Sequence, residues 1–234
     1  MRLDRLIASQ GKYTRNDVKK LIKNGLVVVD GKTIATPDTK VDPAVSEVVI
    51  CGEPFTYKEH LYLMLNKPKG VVSATNDKVH KTVLDLVPKE YMRDGLFPAG
   101  RLDADTTGFV LITDDGDFAH KILAPKTHVE KTYEAKIAAP LSEEDIRVLE
   151  TGAVLKDGFL CLPAKIKVLN EEKIEIKICE GKYHQIRRMI ASRNNKVLEL
   201  NRTKIGALPL DIDLKPGFCR EITQEELLQI TNKN

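Results

Sequence analysis

A chain of 234 residues with 42% hydrophobic and 30% charged residues should be globular, and it is long enough for two domains that each bury a core. Its four cysteines (Cys51, Cys161, Cys179 and Cys219) form no Cys-x-x-Cys pair and its five histidines supply no ligand spacing; no metal site is expected, and the thiols read as reduced ones of a cytoplasmic protein. The first residues lack the apolar core of a signal peptide, and no apolar run approaches the ~20 residues that span a bilayer, so neither secretion nor membrane insertion is expected.

The net charge of +3 is unevenly spread. Residues 1 to 32 carry eight Lys/Arg against three acids, a balance of +5, which leaves −2 for the other 202 residues. In this basic segment Leu3, Leu6 and Ile7 mark a short amphipathic helix. Thr14 followed by Asp17 is a capping-box variant opening a second helix, with Val18, Leu21 and Ile22 as its buried stripe. Gly25 stops that helix, and Leu26 to Val29, the Asp30-Gly31 turn and Thr33-Ile34 read as a hairpin, closed by a strand from Glu47 to Ile50. Arg2, Arg5, Arg15, Lys19 and Lys23 fall on the helix faces that the apolar stripes leave open. Such a face suits a phosphate backbone, although a merely solvated helix reads the same way. The blocks Met1 to Ile7, Thr14-Arg15, Leu21-Ile22 and Gly25 to Lys32 resemble the small RNA-binding domain shared with ribosomal protein S-four. The resemblance implies RNA as a partner.

The stretch from Cys51 to Phe55 with Lys58-Glu59-His60 is polar and interrupted by Gly and Pro, so it is taken as a linker between domains at 1–58 and 59–234. A strand at Leu61 to Leu65 then ends in Asn66-Lys67-Pro68-Lys69-Gly70, where Lys67 and Lys69 either hold RNA or solvate a turn. Further strands are expected at Phe109 to Ile112, Thr132 to Ile137 and Lys173 to Cys179. Helices are announced by Ser142 with Asp145, by the run from His184 to Arg193, and by Thr223 with Glu226. Strands outnumber helices and follow one another like hairpins. The fold class is therefore α+β, a small N-terminal RNA-binding α/β domain followed by a mostly antiparallel mixed sheet.

Between Gly100 and Gly116 the chain crowds carboxylates, hydroxyls and turn glycines just before an apolar run. Asp103, Asp105, Thr107, Gly108 and Asp114 fit several positions of a calcium-loop template, but Pro98 and Gly100 stand where an entering helix belongs and Asp114 replaces the chelating Glu. An aspartate-nucleophile phosphatase would place its apolar strand before the first Asp; here it comes after. A loop whose carboxylates only cap turns is the remaining alternative.

Four separated blocks bear on the choice: Leu61 to Gly70; Gly100 to Asp103 with Thr106-Thr107-Gly108 and Thr113 to Gly116; Lys131-Thr132-Tyr133; and Glu180 to Met189. Together they resemble the pseudouridine synthases that modify ribosomal RNA, and Tyr183-His184-Gln185 is similar to the small-subunit (16S) branch rather than the large-subunit one. The resemblance implies isomerisation of a specific uridine with no cofactor. It places an essential carboxylate on Asp103, acting as nucleophile or as base on the sugar, a pairing arginine on Arg187, and an aromatic ring beneath the uracil on Tyr133. It also implies an apolar wall at Ile186, a residue filling the place of the extruded base at Arg101, and an RNA contact at Arg188. Rival roles remain for several of these: a phosphate contact for Arg101, helix packing for Ile186 and an RNA-backbone contact for Arg187. The partner implied is 16S rRNA within a small-subunit assembly intermediate, met by a monomer. Two alternatives stay open, a 23S target and a non-catalytic assembly factor.

Overall fold

The computed structural model describes residues 1–124 and 129–231. The chain forms two compact units, one of Met1–Leu61 with Val87–Leu96, the other of Tyr62–Leu86 with Phe97–Asn234.

In the first unit, α1 (Leu3–Ala8) and α2 (Arg15–Lys23) pack over a sheet of β1 (Val27–Val29), β2 (Lys32–Thr33), β3 (Val48–Ile50) and β4 (Glu53–Phe55), in the order β2-β1-β3-β4. Helix α2 starts where the sequence predicts. The Thr14 side chain accepts from the Asp17 amide while the Asp17 carboxylate accepts from the Thr14 amide, which satisfies two N-terminal donors at once. Leu3, Leu6, Ile7, Val18 and Ile22 close on Val27, Val29, Val48 and Ile50 as a single core. Asp30 and Gly31, both at positive φ, make the two-residue turn between β1 and β2.

Cys51 to Phe55 is not a linker. Cys51 (φ 54°) and Gly52 (φ 82°) form a second such turn, and Glu53–Phe55 pairs antiparallel with β3. Pro54 does not prevent this, because β4 is an edge strand with one side free of ladder bonds. Val87–Leu96 joins this unit through Arg93, whose guanidinium donates to the carbonyls of Lys58 (2.9 Å) and Glu59 (3.2 Å). Gly11 permits the approach: a Cβ there would stand 1.8 Å from the Met92 carbonyl oxygen.

The second unit contains β5 (Tyr62–Lys67), β6 (Phe97–Pro98), β7 (Thr107–Thr113), α3 (Gly116–Leu123), β8 (Lys131–Ile137), α4 (Glu143–Thr151), β9 (Lys165–Asn170), β10 (Lys173–Ile178), α5 (Gln185–Ala191), β11 (Val197–Ile205), β12 (Leu208–Pro209), β13 (Cys219–Glu221) and α6 (Gln224–Thr231). The strands form one sheet in the order β13-β5-β7-β11-β8-β10-β9, with β6 on β7 and β12 on β11. Every pairing is antiparallel except β7 with β11, which run parallel through Asn201↔Thr107 and Arg202↔Gly108.

Strand β7 is central, and Phe109 to Ile112 are fully buried because both faces of the sheet are covered there. On β10, Ile174, Ile176 and Ile178 are buried while Lys173, Glu175 and Lys177 are partly exposed, matching the alternation in the sequence. The capping pairs Ser142/Asp145 and Thr223/Glu226 open α4 and α6 as expected. The strands β9 and β11 and helix α3 go beyond the sequence-predicted set.

Candidate active site

Asp103 lies in the loop between β6 and β7, and three anchors fix that loop from below. Lys67, at the end of β5, is fully buried and its Nζ donates to the carbonyls of Pro68 (3.1 Å), Ala104 (3.1 Å) and Thr106 (2.7 Å). Ser73 Oγ donates to the Leu102 carbonyl and accepts from its amide, and the Gly70 amide donates to Ala104 O at 2.7 Å. The sequence reading of Lys67 as an RNA contact or a solvated turn residue is thus corrected. Period-two continuation from Leu63 and Leu65 turns its side chain inward, and the loop carbonyls take up its three protons. Burial pushes the Lys67 pKa down to about 8, against the pull of the nearby Asp105 and Asp103 carboxylates.

The Asp103 carboxylate, about 30% exposed, faces the start of α5. His184 Nε2 is 3.4 Å from its Oδ1, whereas Arg187 Nε is 4.0 Å from its Oδ2. The Arg187–Asp103 pairing implied by the resemblance is thus a single long contact and not a bidentate one. Arg187 instead places Nη2 2.9 Å from Asp105 Oδ2 and donates through Nη1 to Val197 O at 3.3 Å. Helix α5 begins one residue later than predicted, because His184 caps it in the left-handed region at φ 47°.

Tyr133 on β8 is buried, and its hydroxyl accepts from Arg202 Nη1 at 3.4 Å. Arg202, on β11, is itself buried, with its guanidinium carbon 5.9 Å from the Tyr133 ring centre and Nε donating to Phe109 O at 2.7 Å. Arg101, Asp103, Tyr133, Ile186 and Arg187 line a single cleft, joined by His184 and Thr106. Among the described residues, Thr106 Oγ1, Arg187 Nε and Arg202 Nη2 are buried without a hydrogen-bond partner. Thr106 lines the cleft, but its hydroxyl lies beneath the surface.

Of the other sequence-predicted residues, Lys69, Arg5, Arg15, Lys19 and Lys23 are exposed. Arg2 forms a two-pronged pair with Asp4 at 3.0 Å, which holds the Asp4 carboxyl below its usual range. Arg188 pairs with Asp157 at 2.5 Å. Sequence reasoning missed Thr106, Arg202 and His184 as site residues. Arg202 carried one usable signal, its period-two spacing from Leu200 on the buried side of β11.

The calcium-loop reading fails on geometry. Thr107–Thr113 is an extended seven-residue strand, about 3.3 Å per residue, so Asp103 and Asp114 stand at opposite ends of it and do not converge. The phosphatase reading fails likewise, since only the two-residue β6 precedes Asp103. Among the described residues no group of three or more His, Cys, Asp or Glu could hold a metal ion, and no helix is long and apolar enough to cross a membrane.

Known families match both parts of the chain. The RNA pseudouridylate synthase family profile matches residues 61–192, and the S4 domain profile matches residues 1–46. The chain is 47% identical over 231 residues to the RNA pseudouridine synthase YtzG of Bacillus subtilis, covering 97% of each. It is 39% identical to the ribosomal small subunit pseudouridine synthase A of Escherichia coli, over 98% of this chain and all of that one. A crystal structure of a pseudouridylate synthase superposes with a TM-score of 0.68 at 36% identity, covering 98% of this chain and 99% of the other.

Proposed function

This chain belongs to the RNA pseudouridylate synthase family, and we propose that it isomerises one uridine of 16S ribosomal RNA, with Asp103 as the essential carboxylate and no cofactor. The reaction breaks the bond from ribose C1′ to uracil N1, turns the base and joins C1′ to C5; the C5 proton is lost and N1 gains one, so composition is unchanged. The group required is an ionised carboxylate at the sugar. The observation that carries the assignment is Asp103 itself: a partly exposed carboxylate on a loop held by Lys67 and Ser73, facing His184 and Arg187 across the cleft.

The other roles follow from position. Tyr133 offers a ring against the uracil, with its hydroxyl held by Arg202. Ile186 walls the cleft. Arg187 supplies positive charge beside Asp103 and Asp105. Since the target base must leave its stack to enter, Arg101, exposed at the mouth, is placed to take the vacated position. Arg188 and Lys69 meet RNA outside the cleft. Residues 1–58 serve RNA binding through Arg2, Arg5, Arg15, Lys19 and Lys23, and residues 59–234 serve catalysis. The full-length similarity to a small-subunit enzyme and the Tyr183-His184-Gln185 block both favour 16S rRNA, met in the cytoplasm by a monomer on a partly assembled particle.

Mapping pseudouridine in rRNA from cells with and without the gene tests this directly. One site in 16S rRNA is expected to disappear; loss from 23S rRNA alone would overturn the small-subunit target, and no loss would favour a non-catalytic assembly role. Asp103→Asn in the purified protein is expected to drop turnover below about one hundredth of wild type while RNA affinity stays within a few fold, because charge is removed and shape is kept.

A further inference from the structure

We infer that Tyr183 is a stacking platform for an unpaired nucleobase adjacent to the target uridine, forming a subsite just outside the catalytic cleft. The inference rests on the reading above that the substrate is RNA, and it specifies how that RNA must be presented. Its basis is a large aromatic ring that is ordered yet uncovered. Tyr183 is 76% exposed, but its ring lies flat on His184, with centroids 3.9 Å apart and planes 16° from parallel. One π face is covered by the imidazole and the other is open to water. His184 in turn reaches Asp103 Oδ1 at 3.4 Å, so the platform is one ring removed from the proposed reacting carboxylate.

The backbone that carries the ring is held from both ends. His184 sits in the left-handed region, a conformation that side chains other than glycine adopt at a cost. Gln185 ties the approach, its side-chain oxygen accepting from the Lys182 amide at 2.9 Å and its amide nitrogen donating to Glu180 Oε1 at 2.7 Å. Arg188 Nη1 donates to the Tyr183 carbonyl at 3.4 Å. A solvated surface tyrosine needs none of this, whereas a base-stacking surface gains from being ordered in advance.

The occupant follows from the chemistry of base extrusion. A uridine turned out of its stack leaves an uncovered face on each of its two neighbours; Arg101 covers one, and the other neighbour emerges beside the cleft mouth. A flat aromatic ring accepts any base, and such stacking is worth about tenfold in affinity or more. Lys182 lines the same cleft and is exposed, which suits the phosphates of a strand threading past the platform.

The test is a cycle between enzyme and RNA. The full chain and its Tyr183→Ala, Tyr183→Phe and Tyr183→Trp variants are assayed on 16S rRNA in a partly assembled small-subunit particle, and on the same rRNA carrying an abasic nucleotide on either side of the mapped uridine. On intact rRNA, Tyr183→Ala is expected to lower kcat/KM about tenfold, mostly through KM, with Phe and Trp within about twofold of wild type. On one of the two abasic rRNAs the Ala penalty is expected to vanish. If Tyr183 merely steadies His184, the penalty persists on both abasic rRNAs and the inference is overturned. The chain contains no tryptophan, so Tyr183→Trp is also a single reporter: its emission is expected to quench on intact rRNA and not on the abasic one. Unquenched emission on intact rRNA that is turned over also overturns it. Failure of wild type to modify 16S rRNA would instead overturn the substrate assignment, and the two outcomes are separate.

Discussion

Lys67 illustrates how one buried residue couples the reaction loop to pH. Three carbonyls accept from its Nζ, which uses every proton of an ammonium; a neutral amine has only two. Burial sets its pKa at about 8, below the ordinary 10.5. Between those values the unfolded chain binds more protons than the folded one, so Lys67 makes global stability rise with pH across that window, by up to about 3 kcal/mol. The loop behaves oppositely, since it loses a donor. Turnover is expected to fall as pH rises through about 8 while the thermal midpoint does not fall with it, measured by pH–rate and pH–melting profiles on one preparation. Lys131, also pushed to about 8 by burial, donates to Ile122 O and Cys179 O, outside the Asp103 loop. Lys131→Met should therefore keep the alkaline fall and Lys67→Met should lose it along with most activity; an alkaline fall that survives Lys67→Met would assign it to another group. At this scale the sequence was informative wherever a side chain had a motif neighbour, as for Asp103 in its Gly-Arg-Leu-Asp block. It was silent on Lys67, two of whose three partners are backbone carbonyls nearly forty positions away, and on the preference of Arg187 for Asp105 over Asp103.

Among the elements, the parallel contact of β7 with β11 is a close joint. Gly108 has φ 100°, and a Cβ there would lie 2.3 Å from the Arg202 carbonyl oxygen and 2.8 Å from its amide nitrogen, both backbone atoms that cannot swing away. Gly108→Ala is expected to destabilise the second unit by at least about 3 kcal/mol, read as a lower denaturant midpoint, because strain at positive φ adds to a backbone collision. An unchanged midpoint would mean that the two strands can part without loss. Helices with a capping pair and strands with alternation, α2, α4, α6 and β10, were legible because their signals are local. Strand β11 was not: Glu199, Asn201 and Lys204 interrupt its apolar positions, and its ladder shifts register twice against β8. Strand β4 was hidden by Gly52 and Pro54, residues that ordinarily end a strand and here form its turn and sit on its free edge.

For the whole molecule, the uneven charge gives a measurable quantity. Arg15, Lys19 and Lys23 on α2 are exposed, and each phosphate neutralised releases counterions in proportion. Replacing all three with Gln in the intact chain is expected to weaken rRNA binding and to reduce the slope of log affinity against log salt by about 2 to 3. An unchanged slope would place the RNA contact elsewhere. The basic first unit was visible in composition, whereas the return of Val87–Leu96 to it was not, because it depends on Gly11 meeting Met92 and Arg93 meeting Lys58.

That return has a consequence for the order of assembly during synthesis. A ribosome that has made the first 61 residues has not finished the first unit, which waits for Leu96; by then β5 has been made with neither neighbour present. Its partner β7 follows soon after, but β13 arrives only once Glu221 is added, after every other strand of the sheet. Until then β5 presents one bare edge, so the nascent chain passes through a long interval in which its larger sheet has a half-open flank.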